Sequence, residues 1–247
     1  MSKHIGTREQ KQEFFATELA PCPYLPGRLE RRLVTLMQPG SRPDVMDILT
    51  EAGFRRSQNY VYRPICDHCQ ACVPVRIDVK RFEPGRTLRK TSNRNLDLTA
   101  NIVSNDATEE QFELFHRYLL DRHETGGMAS MGWWDYRDMV EQVPATTLMI
   151  EFRDAEGRLK GVTLTDRVRS GLSGVYKFFE PDEPKRSLGT HIIMWHIEQA
   201  RLWDLDYVYL GYWIENCRKM AYKARFPALE RLTPNGWQAF HPGKSDE

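Results

Sequence analysis

In a chain of 247 residues, 40% hydrophobic side chains supply enough apolar surface for one large domain or two small ones, which excludes a disordered polypeptide. Lys and Arg total 35 against 34 Asp and Glu, so net charge excludes nothing about partners, and any nucleic-acid footprint must come from local clusters. The polar stretch 1–13 lacks a signal-peptide core, no apolar run is long enough to span a membrane, and three of the five cysteines crowd into 66–72. These features predict a cytoplasmic protein without a disulfide framework.

In chain order, apolar residues at 29, 33 and 36 predict a short helix, a second helix covers 44–52 and stops at Gly53, and 59–63 reads as a strand. The cysteine hairpin C66-D-H-C69-Q-A-C72 follows. With Cys22 it offers four thiolate ligands, suited to tetrahedral zinc or an iron–sulfur cluster; the same spacing also suits reduced thiols that only pack a loop. His68 is an alternative ligand inside the hairpin, and Cys217 reads as a small buried hydrophobe. A strand over 73–79 leads into a basic stretch holding Arg76, Lys80, Arg81, Arg86, Arg89, Lys90 and Arg94, and another strand covers 96–103. We place a boundary there. Residues 1–104 form a small mixed α/β domain with the cysteines, and residues 105–247 a second domain.

Thr108 and Gln111 have capping-box spacing and open a helix whose Phe112, Phe115 and Leu119 share a face. A loop with three glycines and two tryptophans spans 126–135, of the kind that closes over ligands, and a further helix covers 134–143. Strands over 146–152, 159–166 and 172–179 predict an antiparallel meander. Ser187 then reads as the N-cap of an amphipathic helix with Ile193, Ile197 and Ala200 on one face, and Gly189 lets a ligand approach its first turn. Period-two alternation follows, with Val208, Leu210 and Tyr212 on one strand face and Tyr207, Tyr209, Gly211 and Trp213 on the other. A second basic cluster, Arg218, Lys219, Lys223 and Arg225, closes the unit.

This order gives an α+β class with a C-terminal domain similar to the acyl-CoA N-acyltransferase (GNAT) fold. Arg186-Ser-Leu-Gly189 supplies half of that fold's pyrophosphate turn, but its last small residue would fall at His191, whose side chain crowds a pyrophosphate. That argues against coenzyme A as donor. An acetyl-CoA-dependent N-acetyltransferase and a noncatalytic metal-binding RNA adaptor are the competing readings.

Several spaced blocks, among them C22-P-Y-L-P, G53-F-R-R-S-x-x-Y60-V-Y-R-P64, C66-x-x-C69-x-x-C72-V-P-V-R76, L172-S-G-V-Y176, S187-L-G-T190 and Y207-V-Y-L-G-Y-W-I214 followed by C217-R-K-M-A-Y-K223, carry a resemblance to the arginyl-tRNA-protein transferase family. The chain is most similar to its short bacterial branch, from about residue 14 to 237. The resemblance implies transfer of leucine from leucyl-tRNA to the α-amine of proteins beginning with Asp or Glu, which marks them for N-degron proteolysis; arginyl transfer uses the same chemistry. No cofactor is required for that chemistry. It further implies that Asp166 orients or deprotonates the amine, with Tyr176 and Tyr212 supplying hydroxyls near the ester. Ser187, Gly189, Thr190, Lys219 and Lys223 are expected at the tRNA 3′ end. Arg55, Arg63 and Arg76 are expected to recognise the acidic N-terminal residue, because a guanidinium pairs bidentately with a carboxylate. The related eukaryotic enzymes carry an iron–sulfur cluster, which extends the metal expectation for Cys22, Cys66, Cys69 and Cys72.

Overall fold

The computed structural model describes residues 12–37, 43–122, 130–215 and 217–242. The polar N-terminal stretch up to residue 11 and positions 126–129 of the glycine-tryptophan loop lie outside the described residues. The chain opens with short strands β1 (Phe15–Ala16), β2 (Ala20–Pro21), β3 (Leu29–Glu30) and β4 (Arg32–Leu36). Helix α1 (Pro43–Glu51), β5 (Arg55–Ser57), β6 (Tyr60–Pro64), β7 (Val73–Asp78), α2 (Arg86–Arg94) and β8 (Thr99–Val103) come next. Then follow α3 (Glu109–Arg122), α4 (Trp133–Glu141), β9 (Thr147–Arg153), β10 (Leu159–Val168) and β11 (Gly171–Phe179). The last elements are α5 (Leu188–Leu202), β12 (Tyr207–Trp213), β13 (Leu229–Thr233) and β14 (Gly236–Ala239).

Eight strands build one mixed sheet in the order β14-β13-β7-β12-β11-β10-β9-β8, and a four-stranded sheet of order β1-β4-β6-β5 lies against it. The sheets do not divide at residue 105. Both β7 and β8 precede residue 105 yet belong to the large sheet, with β7 paired between β12 and β13, so the change of sheet falls between Pro64 and Val73. The helix expected at 29–36 is also replaced by strands. Its Val34 and Thr35 are β-branched and pair with Tyr62 and Val61, so ladder pairing overrides a weak helical period.

The meander forms as expected: β10 pairs antiparallel with both β9 and β11. Alternation along β10 sends Val162 and Leu164 to the core under α3 and α4, while Thr165 faces α5 through His196. The capping box forms too. Gln111 N–H donates to Thr108 Oγ1 (3.3 Å) and Thr108 N–H to Gln111 Oε1 (3.1 Å), starting α3 where Phe115 and Leu119 reach the core. Each such buried side chain contributes about 1.5–3 kcal/mol relative to exposure.

Beyond α5 the chain returns in β12 parallel to β11, but the ladder covers only Gly171–Tyr207, Leu172–Val208 and Ser173–Tyr209. The two strands then part. A bulge against β7 between Tyr209 and Gly211 breaks the period-two pattern of β12. Val208 and Leu210, with Trp213 beside them, stay on the α5 core, whereas Tyr212 turns to the small sheet, on the side of Tyr207 and Tyr209. The expected alternation therefore holds only up to the bulge.

Candidate aminoacyl-transfer site

A cavity of about 280 Å³ opens where the small sheet meets β10, β11 and α4. Its wall carries Tyr24, Tyr60 and Tyr62, the apolar Met139, Leu164, Val175 and Met220, and two adjacent arginines. Alternation along β5 sends these arginines to different partners. Arg56 is 3% exposed and grips Asp166 with two bonds, Nε to Oδ2 at 2.7 Å and Nη2 to Oδ1 at 2.9 Å; Thr147 Oγ1 donates to the same carboxylate at 2.6 Å. Arg55 has no carboxylate partner among the described residues. Its Nη2 donates to the Val175 carbonyl at 3.2 Å, and the side chain lies across Gly211, where an added Cβ would stand 2.2 Å from Nη1. Gly211, with φ of 71°, is the position where backbone and guanidinium can share that space.

Two expected catalytic residues have other work here. Asp166 is fully buried with both oxygens taken, so it holds Arg56 and joins the two sheets rather than meeting an amine. Tyr212, 1% exposed, bridges the Gly53 and Tyr62 carbonyls at 3.0 Å each, and this also ties the sheets together. Tyr176 differs. It lines the cavity, and its hydroxyl is buried without a partner, while burial holds its phenol well above the ordinary range, so it stays a proton donor at neutral pH. Burial, with Tyr62 adding to it, likewise pushes Tyr24 up to about 12.

Among the other expected arginines, Arg76 is 5% exposed and bonded to Glu230 (2.8 Å) and Glu51 (3.1 Å), and its guanidinium carbon stacks 3.4 Å from the centre of the Tyr207 ring. Two carboxylates already balance its buried charge, so it is a structural clamp, not an acceptor-recognition residue. Arg63 is exposed and donates to the Ala52 carbonyl at 3.3 Å.

At the entry of α5, Ser187 occupies the N-cap position in left-handed conformation (φ 54°) and makes no side-chain cap, contrary to expectation. The Phe179 ring fills the space beside Gly189, 2.9 Å from where a Cβ would be, so this glycine serves packing and not the approach of a ligand. Thr190 is half-buried, its N–H spent on the Ser187 carbonyl at 2.9 Å. His191 packs edge-on to Phe152, and burial followed by Arg186 lowers its pKa to about 4. Lys219 faces solvent. Lys223 does not: it is 1% exposed and donates to the Tyr212 carbonyl, and burial first, then Arg55 and Lys177, hold its pKa well below that of an ordinary lysine. A surface phosphate contact is therefore the wrong role for Lys223. Sequence reasoning passed over Tyr24, Tyr62, Met139 and Met220, which come together only through the fold; it also passed over Lys177, which lies on the other side of the same strand opening.

The four cysteines lie close enough to affect one another. Burial, then Cys22, Cys66 and Cys69, push the Cys72 thiol up to about 12, whereas the Ala71 backbone and Arg28, whose Nη1 is 3.1 Å from Sγ, lower Cys69. Four thiols suit a soft metal chemically. As placed, however, no three metal-ligating side chains among the described residues stand together as a ligand set, and a guanidinium occupies one thiol, so no step is derived through a metal. Cys217 is buried, as expected.

Known proteins agree with this architecture. A model of the N terminus of arginine-tRNA-protein transferases matches residues 20–90, and a model of their C terminus matches residues 110–233. The chain belongs to the arginine-tRNA-protein transferase family. Within that family it is 50% identical over 236 residues to the aspartate/glutamate leucyltransferase of Parvibaculum lavamentivorans, covering 96% of this chain and 98% of that one. The protein of the same name from Paramagnetospirillum magneticum is 48% identical over 230 residues, covering 93% and 94%. Among solved structures, L-PGS from Bacillus licheniformis shares the fold alone, with a TM-score of 0.51 and 13% identity over 72% of this chain and 62% of that one. The transferase thus has an α+β fold, and no helix among its described residues is long and apolar enough to cross a membrane.

Proposed function

We propose that this protein transfers leucine from leucyl-tRNA to the N-terminal α-amine of proteins that begin with Asp or Glu, acting in the cytoplasm within an N-degron pathway. The observation that carries the reading is the composition of the seam cavity: one guanidinium without a carboxylate partner, an apolar wall and no lining carboxylate. An acidic side chain finds a bidentate partner in Arg55. An aliphatic donor side chain fits against Met139, Leu164 and Met220. A guanidinium donor would meet Arg55 with no counter-charge, which favours leucyl over arginyl transfer.

The chemistry is aminolysis of an ester that is already activated, so it requires no cofactor. The amine nitrogen attacks the ester carbonyl carbon, the C–O bond to the ribose breaks, and the ribose oxygen receives a proton. With an α-amino pKa near 7.7–8.0, roughly a third of the amine is neutral at pH 7.5, so no strong base is needed and positioning dominates. Arg55 orients the acceptor in the cavity.

Transfer of labelled leucine to an Asp-starting peptide, run in parallel with leucyl-, arginyl- and phenylalanyl-tRNA and an RNase control, tests the reading. Leucine incorporation that RNase abolishes supports it; acetyl-CoA dependence or preferred arginyl transfer overturns it. Zinc or an iron–sulfur cluster on Cys22, Cys66, Cys69 and Cys72 is a separate proposal, supported by the donor chemistry alone. About one metal equivalent or cluster in anaerobically purified protein would sustain it, and active metal-free protein would end it.

A further inference from the structure

Parallel strands that part leave backbone carbonyls without ladder partners. Here basic side chains donate to them: Arg55 caps the Val175 carbonyl of β11 and the buried Lys223 amine caps the Tyr212 carbonyl of β12. A second cation stands in the same opening. Lys177 of β11 is half-buried, its Nζ lies 5.2 Å from the centre of the Tyr222 ring, and its Cε is 3.8 Å from the position a Cβ would take on Gly189 at the start of α5. Lys177 has neither a carboxylate nor a hydrogen-bond partner among the described residues, and neither Arg55 nor Lys223 has a carboxylate. Two clustered cations without counter-charge, Arg55 and Lys177, on either side of a Lys223 whose charge burial disfavours, destabilise the free protein and favour an arriving anion.

The opening has two sides with different surroundings. Arg55 faces the seam cavity under the small sheet. Lys177 points to the α5 side, where its charge acts on His196 of α5. On that same side α2 packs through Leu88 into the α5 core and exposes Arg86, Arg89 and Lys90, none of them paired with a carboxylate among the described residues. A polyanion lying over α2 and the start of α5 would end at Lys177.

We propose, resting on the aminoacyl-transfer reading above, that Lys177 is the donor-side recognition residue and binds the phosphodiester nearest the esterified nucleotide of the charged tRNA, while Arg55 binds the acceptor's carboxylate from the opposite side. A lysine suits this role because it meets a phosphate as a point charge and needs no fixed fork geometry.

The test is Lys177→Gln in the full chain, with Lys177→Met, which keeps the aliphatic stem against Tyr222, as the variant to use should the first fail to fold. Two readouts separate this inference from its parent. Binding of uncharged tRNA is measured against salt and needs no leucine transfer; loss of one phosphate contact lowers the log–log salt slope by about 0.7–0.9. In transfer assays the KM for leucyl-tRNA rises about ten-fold, as expected for loss of one charge-assisted contact, while the peptide KM stays within about two-fold. Lys177→Arg restores the slope. An unchanged slope overturns the inference, and so does a rise in peptide KM without one in tRNA KM.

Discussion

Arg55 and Arg56 are neighbours on one short strand, and burial treats them differently. Arg56 meets Asp166 and Thr147 in a closed set of bonds, so its charge is balanced and it joins the small sheet to β10. Arg55 meets a carbonyl but no carboxylate among the described residues, so its charge remains available at the cavity. The lesson is that burial of a cation does not mark function. What marks it is a cation without a counter-ion at a cavity.

The strongest way to break this contrast is to remove the counter-ion of Arg56. Asp166→Asn leaves a buried guanidinium unpaired and should destabilise the protein by about 3–5 kcal/mol, read by denaturant unfolding. If stability stays within about 0.5 kcal/mol while turnover collapses in folded protein, Asp166 is catalytic after all. Next comes Arg55→Gln. Losing a charged hydrogen bond to the acceptor costs about 1.5–3 kcal/mol, so kcat/KM on an Asp-starting peptide should fall roughly ten- to hundred-fold while an Asn-starting peptide changes little. Equal losses on both peptides would assign Arg55 to the framework with Arg56. Gly211→Ala is an indirect version of the same test. Its Cβ would displace the Arg55 guanidinium, so acidic selectivity should drop by about ten-fold without any change at Arg55 itself.

Much of the framework was legible because local signals agreed with the global fold. The Thr108–Gln111 box, the meander and the α5–β12 order each follow from periodicity and capping. The site was less legible. A bulge at Gly211 re-aims Tyr212, and neither a bulge nor a left-handed Ser187 has a pattern that periodicity can detect. Asp166, Arg76 and Lys223 have the residue types of functional groups, but their roles depend on partners 110, 154 and 11 positions away in sequence. Arg55 was named among the acidic-recognition residues, yet nothing in the sequence separates it from Arg56. Only the fold shows which of the two is paired.

The last expected effect concerns a buried group that, unlike Arg55, avoids charge altogether. His196 is 2% exposed, its Nε2 lies 2.7 Å from Thr165 Oγ1, and burial, then Lys177, lower its pKa to about 3. The folded ring is therefore neutral while the unfolded ring protonates near 6.5, so below that pH the unfolded state binds more protons. Stability from this group is complete above about pH 6.5 and is lost as pH falls toward 3, at about 1.4 kcal/mol per pH unit. Denaturant unfolding at pH 7, 6 and 5 should show that decline, and His196→Gln should flatten it by about one proton while lowering stability at pH 7 through the lost Thr165 bond. An identical slope in the variant would mean that His196 carries a proton in the fold, and then Lys177 beside it would need a counter-ion even before any tRNA arrives.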